Sequence, residues 1–141
     1  EEYKVFDVRD GQGLVMLRES GMALAIITGR RSTVVAARMA ELGIEFVYQG
    51  QRDKLAALAE LEARLGIASA QVCYTGDDLP DVPVLRRVGL PVTVADAHPA
   101  CIEVARYRTR APGGRGAVRE ICELLMTAGG TLAAQYARYE A

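Results

Sequence analysis

The chain has 141 residues, of which half are hydrophobic and a quarter are charged, and its formal net charge is −1. This length and balance are typical of one globular domain with a single core. A charge this close to zero supplies no basic field for nucleic acid or an anionic membrane, and no apolar run reaches membrane-spanning length, so both partners are excluded.

Five short runs rich in β-branched and aliphatic residues predict strands at residues 3–8, 22–28, 46–49, 71–75 and 90–95. Between most of them, apolar residues recur three and four positions apart, which is typical of helices. The predicted helices are 10–20, 32–43 with Ser32 or Thr33 as N-cap and Gly43 as C-cap, 53–66 with Asp53 and Gly66 as caps, and 116–129.

Strands that alternate with helices predict βαβ units, and therefore an α/β fold with a Rossmann-like parallel sheet between two helical layers. No linker interrupts the chain, so residues 1–141 form one predicted domain, and the Gly-Pro-rich stretch 110–117 is a loop within it. The chain begins at Glu1 rather than Met, directly in a strand-like pattern, and we expect it to be a fragment.

The three cysteines, Cys73, Cys101 and Cys122, are odd in number and have no metal-ligand spacing. They predict small buried side chains in a reducing compartment, so we expect a cytoplasmic protein.

Polar residues follow four of the predicted strands. Thr28-Gly29-Arg30 ends one strand, Lys54 comes shortly after the next, and Gly76-Asp77-Asp78 and Asp96-Ala97-His98 follow the last two. Because ligands bind at the carboxyl ends of parallel strands, these groups are expected at one rim of the sheet. A hydroxyl, cations and carboxylates at one rim predict a site for an anion and a metal.

The acidic residues Asp77, Asp78 and Asp81 fall within five positions. Oxygen ligands of this kind suit Mg²⁺, which usually takes one or two carboxylates together with substrate phosphate. The alternative is that these residues cap the following helix and complement its dipole, and for Asp78 alone both interpretations stay open.

The cations and the hydroxyl are individually ambiguous. Thr28 could donate to a phosphate oxygen beside backbone N–H groups, or could form an ordinary ST-turn. Lys54 lies in the first turn of its helix, where the dipole disfavours a cation, which indicates that it serves a site. Arg30 and Arg31 could bind a carboxylate or phosphate, or could be surface charges.

His98 is the one histidine of the sequence, and helix capping ahead of Pro99 is favoured for it over catalysis. Without a Ser–His arrangement or a reactive cysteine context, hydrolase triads are excluded. The short GGRG stretch does not match a nucleotide-binding motif.

Thr28, Lys54 and the segment GDDLPD at 76–81 together resemble motifs two, three and four of the haloacid dehalogenase superfamily. The stretches AIITGRRS, YQGQRDKLAAL, ADAHP and TRAPGGRGAVREIC are similar to one branch, the 3-deoxy-D-manno-octulosonate 8-phosphate phosphatases. The resemblance covers nearly the whole chain. It implies a cytoplasmic, Mg²⁺-dependent homotetramer that hydrolyses a sugar-acid phosphate in lipopolysaccharide biosynthesis.

The resemblance also implies residue roles. Asp77 would bind Mg²⁺, Asp81 would pair with Lys54 and orient the site, and Asp78 would support the loop. Thr28 and Lys54 would stabilise the phosphoryl oxygens, beside Gly29 and Arg30. Residues 1–8 would belong to the family's β-hairpin flap, and the tail 130–141 of a neighbouring subunit would line the sugar-acid pocket together with Arg9.

One family motif is missing. The family's DxDGVLTD, which carries the nucleophilic Asp and the general acid/base Asp, lies on the central strand of its sheet and does not occur in this sequence. Asp7, in FDVRDG, has the wrong context to replace it. We therefore expect a sheet without its central strand, and a chain that is inactive without the upstream nucleophile.

Two other classes fit parts of the pattern. Domains of this type occur fused to CMP-sialic acid synthetases, where they can serve as non-catalytic oligomerisation modules, but such a module need not keep Lys54, Asp77 and Asp81. A receiver-type phosphoacceptor domain also uses an acidic Mg²⁺ site and a lysine, although the motif order fits it poorly. The sequence leaves the choice between eight- and nine-carbon sugar acids open.

Overall fold

The computed structural model describes residues 6–140, which form parallel strands covered by helices on both faces. No helix within this range is both long and apolar enough to cross a bilayer. The helices are α1 (Val8–Glu19), α2 (Thr33–Glu41), α3 (Lys54–Leu65), α4 (Val82–Leu85), α5 (Pro99–Val104), α6 (Ala117–Ala128) and α7 (Leu132–Ala137). The strands are β1 (Ala25–Ile27), β2 (Phe46–Tyr48), β3 (Cys73–Thr75), β4 (Leu90–Thr93) and β5 (Tyr107–Arg108).

The strands form two separate parallel sheets within the described residues. One sheet pairs β1 with β2, with Ala25 opposite Phe46, and the other has the order β3-β4-β5, with Cys73 opposite Leu90. Both sheets pack against the same cluster on α3 and α4, because Ile27 of β1 and Tyr74 of β3 both contact it. The sheets are therefore neighbours that share a helical layer without sharing hydrogen bonds.

Among the described residues, β1 and β3 each pair with another strand on one side only. Thr28 N donates to Tyr48 O, and Leu90 N donates to the carbonyl of Val72. Because successive residues of a strand direct their backbone groups to opposite sides, Ile27 of β1 and Thr75 of β3 direct theirs away from these partners. Within residues 6–140, each of these two strands therefore has one edge that pairs with no other strand.

Two helical layers enclose the strands. On one face, α1 packs on α6 through Met16, Leu17, Cys122 and Met126, and α2 continues this layer. On the other face, α3 and α4 enclose a cluster centred on Leu58. Together with the parallel strands, these layers confirm the predicted α/β/α architecture.

The predicted elements are recovered with shorter strands. Asp53 caps α3 and Gly66 ends it in the left-handed region with φ +67°. Ser32, rather than Thr33, caps α2, which ends at Glu41 ahead of Leu42 and Gly43. The predicted burial of the cysteines is confirmed for Cys101 and Cys122, while Cys73 is half-buried.

Three features of the structure differ from the sequence prediction. The predicted strand at 3–8 lies mostly outside the described residues, and Val8 begins α1 because Asp7 caps the helix there. The short β5 was not predicted. In the tail, α7 lies against the same chain: Gln12 Nε2 donates to the Tyr139 hydroxyl at 2.7 Å. The tail's contact with a neighbouring subunit stays a prediction.

Candidate active site

The segment GDDLPD leaves β3 in a tight turn that is fixed at its first residue. Gly76 N donates to Val92 O at 3.1 Å, and the buried Thr93 hydroxyl donates to Gly76 O at 2.7 Å. A Cβ atom at Gly76 would lie 2.3 Å from Cβ of Asp81, far inside contact distance. Only glycine therefore allows Asp81 to fold back over the end of β3.

The Asp81 carboxylate is buried, with its side chain 7% exposed, and it accepts four hydrogen bonds. Its Oδ1 accepts from Lys54 Nζ at 2.7 Å and from the Tyr74 hydroxyl at 2.6 Å. Its Oδ2 accepts from Asp77 N at 2.9 Å and from Asp78 N at 3.3 Å. The expected contact between Lys54 and Asp81 is present.

Opposite shifts separate the pKa values of two neighbouring carboxyls. Burial favours the neutral form of Asp81, but the hydrogen bonds from Lys54, Tyr74 and Asp77 N outweigh it and lower its pKa. The pKa of Asp77 is raised by burial and by the negative charges of Asp81 and Asp78. Asp81 is thus an ionised partner for Lys54, and both of its oxygens already accept hydrogen bonds. Asp77, in contrast, lies among other negative charges that are not balanced by a cation.

Asp77 therefore fits a magnesium ion better than its neighbours do. A cation beside its carboxylate would offset the repulsion that raises its pKa, whereas both Asp81 oxygens are already occupied by donors. Asp78 Oδ1 accepts from Leu79 N at 2.8 Å, so the capping interpretation describes Asp78. Residues 6–140 contain no group of three or more His, Cys, Asp or Glu side chains placed to hold a metal ion.

Thr28 and Lys54 lie on neighbouring loops that are hydrogen-bonded together. Gln51 N donates to Thr28 O at 2.9 Å, and Gly50 N donates to Arg30 O at 3.0 Å, three and four residues before Lys54. The Thr28 hydroxyl oxygen accepts from Arg30 N at 3.3 Å, which is the ST-turn foreseen as its alternative role. The turn leaves the Thr28 hydroxyl hydrogen available for another acceptor.

Arg9 and Arg31 lie outside this cluster. The Arg9 side chain is 76% exposed and pairs with Asp7 at 3.5 Å, so its described contacts do not bring it to Lys54 or Asp77. Arg31 packs against Gly50, where a Cβ atom would lie 2.6 Å from its Nε. The predicted substrate-binding role of Arg9 stays a prediction.

His98 and Asp7 have capping roles in the structure. His98 Nδ1 accepts from Ala100 N at 3.0 Å, as expected of a residue that caps the helix beginning at Pro99. Asp7 accepts from Arg9 N at 2.8 Å and caps α1, which agrees with its exclusion as a nucleophile.

Sequence reasoning missed two carboxylates that hold the loop at 110–117. Glu120 accepts from Arg110 N and Ala111 N, at 3.0 and 3.1 Å. Asp10, buried on α1, accepts from Gly116 N at 3.2 Å and from Arg119 N at 2.9 Å. Glu120 lies close to its partners in the chain and could have been found as a local cap, whereas Asp10 is more than a hundred residues away.

The chain matches a family model and curated relatives. Residues 43–121 match the model of the haloacid dehalogenase-like hydrolases. The chain is 54% identical over 132 residues to the 3-deoxy-D-manno-octulosonate 8-phosphate phosphatase of Escherichia coli K12, covering 94% of this chain and 70% of that protein.

Solved structures have the same fold. The 3-deoxy-D-manno-octulosonate 8-phosphate phosphatase of Yersinia pestis is 53% identical with a TM-score of 0.93, over 94% of this chain and 72% of that one. The corresponding enzyme of Moraxella catarrhalis, solved with magnesium, phosphate and KDO, is 45% identical with a TM-score of 0.97, over 99% of this chain and 80% of that one.

Proposed function

Because this chain belongs to the haloacid dehalogenase-like hydrolases, and within them to the 3-deoxy-D-manno-octulosonate 8-phosphate phosphatases, we propose that it serves the hydrolysis of 3-deoxy-D-manno-octulosonate 8-phosphate to KDO and phosphate. The family assignment makes the chain a phosphatase of a kind that uses Mg²⁺. The alternative of a non-catalytic oligomerisation module is not favoured by these relatives, which are named as phosphatases.

One observation carries the assignment to this site: a buried Lys54–Asp81 pair lies beside Asp77 at the carboxyl end of β3. The Lys54 side chain is only 13% exposed, and Asp81 is its one hydrogen-bond partner within residues 6–140. A buried ammonium with unused N–H groups, beside a carboxylate suited to a cation, is an arrangement that binds a phosphoryl group.

In the proposed reaction, the residues of this chain bind and orient the phosphoryl group. The Lys54 ammonium donates to its oxygens and offsets the negative charge that grows on them in the transition state. The Thr28 hydroxyl donates to another oxygen, alongside the backbone N–H group of Gly29, while the Arg30 N–H holds the Thr28 hydroxyl oxygen. Asp81 holds the ammonium in place through the 2.7 Å contact, and its carboxylate is ionised because the hydrogen bonds from Lys54, Tyr74 and Asp77 N outweigh burial and lower its pKa.

Asp77 would hold the magnesium ion, whose bound form polarises a phosphoryl oxygen and neutralises its charge. The donor chemistry fits, because Mg²⁺ prefers oxygen ligands and usually binds one or two carboxylates of a protein. The raised pKa of Asp77 reflects burial and the charges of Asp81 and Asp78, and a cation is the partner that would relieve the crowding.

We further propose that the nucleophilic carboxylate lies on a parallel strand between β1 and β3. The unpaired edges of these strands support this proposal, since exposed backbone groups on an edge invite pairing with another strand. A strand there would end at the same rim as Thr28 and Asp77. The motif that would carry the nucleophile is not found in residues 1–141.

The experiment measures phosphate release from 3-deoxy-D-manno-octulosonate 8-phosphate, with and without Mg²⁺, for residues 1–141 alone and with a second polypeptide that supplies the missing motif. We expect no release from residues 1–141 alone and restored, Mg²⁺-dependent release from the mixture. Release by residues 1–141 alone, above a Lys54→Ala control, would show that the nucleophile belongs to this chain. Comparing the rates on this eight-carbon substrate and on a nine-carbon sugar-acid phosphate shows which length of sugar acid the enzyme prefers.

The assembly and location are also part of the proposal. We propose a homotetramer in the cytoplasm, supported by the exposed apolar side chains Val8, Tyr136 and Tyr139 near the two ends of the described chain. Light scattering of the complete enzyme at micromolar concentration tests the assembly, and fractionation of its cells tests the location. A monomer, or a membrane-bound fraction, would contradict the respective proposal.

A further inference from the structure

The Tyr74 hydroxyl donates a hydrogen bond to Asp81, but Tyr74 has no role in the reaction proposed above. The hydroxyl lies 2.6 Å from Oδ1 of Asp81, the same oxygen that accepts from Lys54 Nζ at 2.7 Å. The ring packs against the core cluster of Leu58, Val84 and Val88. The core thus fixes one end of Tyr74, while its polar end reaches the site.

The direction of this hydrogen bond follows from the chemistry of both groups. Burial and the hydrogen bond to the Asp81 carboxylate raise the pKa of Tyr74, so the phenol keeps its proton. An ionised carboxylate can only accept hydrogen bonds. Tyr74 is therefore the donor, and Oδ1 of Asp81 accepts from Tyr74 and Lys54 together.

The second Asp81 oxygen is held independently. Oδ2 accepts from the backbone N–H groups of Asp77 and Asp78, at 2.9 and 3.3 Å. With Tyr74 on Oδ1, both ends of the carboxylate are fixed by groups other than Lys54. The carboxylate plane therefore cannot rotate to follow the lysine, and the lysine must adopt the position that the carboxylate dictates.

Lys54 needs this control because its own side chain is flexible. It is the first residue of α3, where the helix dipole disfavours a cation, and its ammonium ends a four-carbon stem. The carboxylate and the lysine also come from separate elements, the turn at Leu79–Asp81 and the start of α3. A fixed Oδ1 gives the ammonium one anchor and directs its remaining N–H groups to one place.

We propose that Tyr74 is a positioning residue for phosphoryl transfer: it fixes Oδ1 of Asp81 and thereby holds the Lys54 ammonium in its productive position. The proposal rests on the proposed function, because Lys54 acts there on the phosphoryl group. Tyr74 itself touches no reacting atom in this scheme. Its effect passes through Asp81 and Lys54, and this determines how it must be tested.

The first measurement compares Tyr74→Phe with wild type in the complete enzyme. The ring and its core contacts stay, and only the hydroxyl is lost. We expect kcat to fall about tenfold with KM within about twofold, as for a lost hydrogen bond to a charged group. Tyr48→Phe is the matched control, because it removes a hydroxyl that contacts Arg64 on the surface, at 3.0 Å. The control should keep wild-type kcat, and an unchanged kcat in Tyr74→Phe overturns the proposal.

The second measurement is a double-mutant cycle with Lys54→Met. If Tyr74 acts through Lys54, the hydroxyl has nothing left to position once the ammonium is removed, and Tyr74→Phe should then change kcat by less than about twofold. A loss that is equally large in both backgrounds would mean that Tyr74 supports the fold generally, and would overturn the positioning role.

The same four proteins are also unfolded in urea, which requires no turnover. If Tyr74 and Lys54 both depend on Asp81, the shift of the urea midpoint in the double variant should differ from the sum of the shifts in Tyr74→Phe and Lys54→Met. If wild type releases no phosphate, the proposed reaction is wrong, and the urea cycle still decides whether the two residues share Asp81. Additive midpoints would overturn the inference whatever the outcome for activity.

Discussion

Gly76 offers the sharpest perturbation of the site, because an added methyl group would collide with the residue that holds Lys54. In Gly76→Ala, the new Cβ would lie 2.3 Å from Cβ and 2.6 Å from Cγ of Asp81. Carbon atoms normally pack about 3.5–4.0 Å apart, so Asp81 must move by more than about 1 Å. The overpacking should cost about 1–3 kcal/mol of unfolding free energy.

The larger effect should fall on turnover. A displaced Asp81 loses its short contact with Lys54 Nζ, which then no longer donates to the phosphoryl group from a fixed position. Removing one preorganised donor of this kind costs about 2.7–4 kcal/mol of transition-state stabilisation. We expect kcat in Gly76→Ala to fall about 100- to 1,000-fold, with a smaller change in KM.

Gly89→Ala is the matched control, because it creates a comparable collision away from the site. Gly89 directly precedes β4, and an added Cβ there would lie 2.0 Å from the backbone oxygen of Ala70. The control should lose at least as much stability while its folded fraction keeps wild-type kcat. The assay is steady-state phosphate release by the complete enzyme, normalised to the folded fraction from circular dichroism. Equal kcat losses in Gly76→Ala and Gly89→Ala would refute the reasoning.

Three further variants test individual roles in the complete enzyme. Lys54→Ala should lower kcat about a hundredfold or more, and an effect confined to KM would mark ground-state binding instead. Asp77→Asn should abolish Mg²⁺-dependent turnover while the circular dichroism spectrum stays native; near-normal turnover would contradict its role as metal ligand. Deleting residues 130–141 should impair steady-state turnover more than the urea midpoint, although the tail packs on its own chain; unaltered kinetics would exclude a role in substrate handling.

The sequence predicted the site well where the chemistry is local or follows from strand order. The carboxyl ends of parallel strands lie at one rim, so Asp77, Asp81 and Lys54 could be placed together from their positions after strands. Helix caps such as Asp53 depend on a few neighbouring residues and were found for the same reason. The expected lack of a central strand stays a prediction; within residues 6–140 the strands form two separate sheets, β1-β2 and β3-β4-β5.

Other features depend on contacts that no local pattern encodes. In the sequence, Tyr74 looks like one more apolar residue of a strand. Its contact with Asp81 exists only because the chain turns back at Gly76. The two-residue strand β5 is too short to produce an alternating pattern. Of the strand expected at 3–8, only the last three positions are described, and there Val8 begins α1 because Asp7 supplies a helix cap that outweighs the strand propensity of its neighbours.

Asp10 caps a helix that begins more than a hundred residues later in the chain. Helix α6 begins after Gly116, which has no side chain to cap it, and the Asp10 carboxylate accepts from Gly116 N and Arg119 N in that place. Losing a helix cap costs about 0.5–2 kcal/mol. The N–H groups of Gly116 and Arg119 are partly buried, so the cost here should lie near the upper end of that range.

Asp10→Ala should therefore destabilise the protein by about 2 kcal/mol, and Asp10→Asn by less, because the amide keeps one acceptor oxygen. The comparison is Asp53→Ala, which removes an exposed cap whose Oδ1 accepts from Ala56 N at 3.2 Å, and should cost about 1 kcal/mol. Urea unfolding of all three variants gives the free energies. If Asp10→Ala costs no more than Asp53→Ala, the contact between α1 and α6 depends on their apolar faces, and the carboxylate is not what joins the start of α6 to α1.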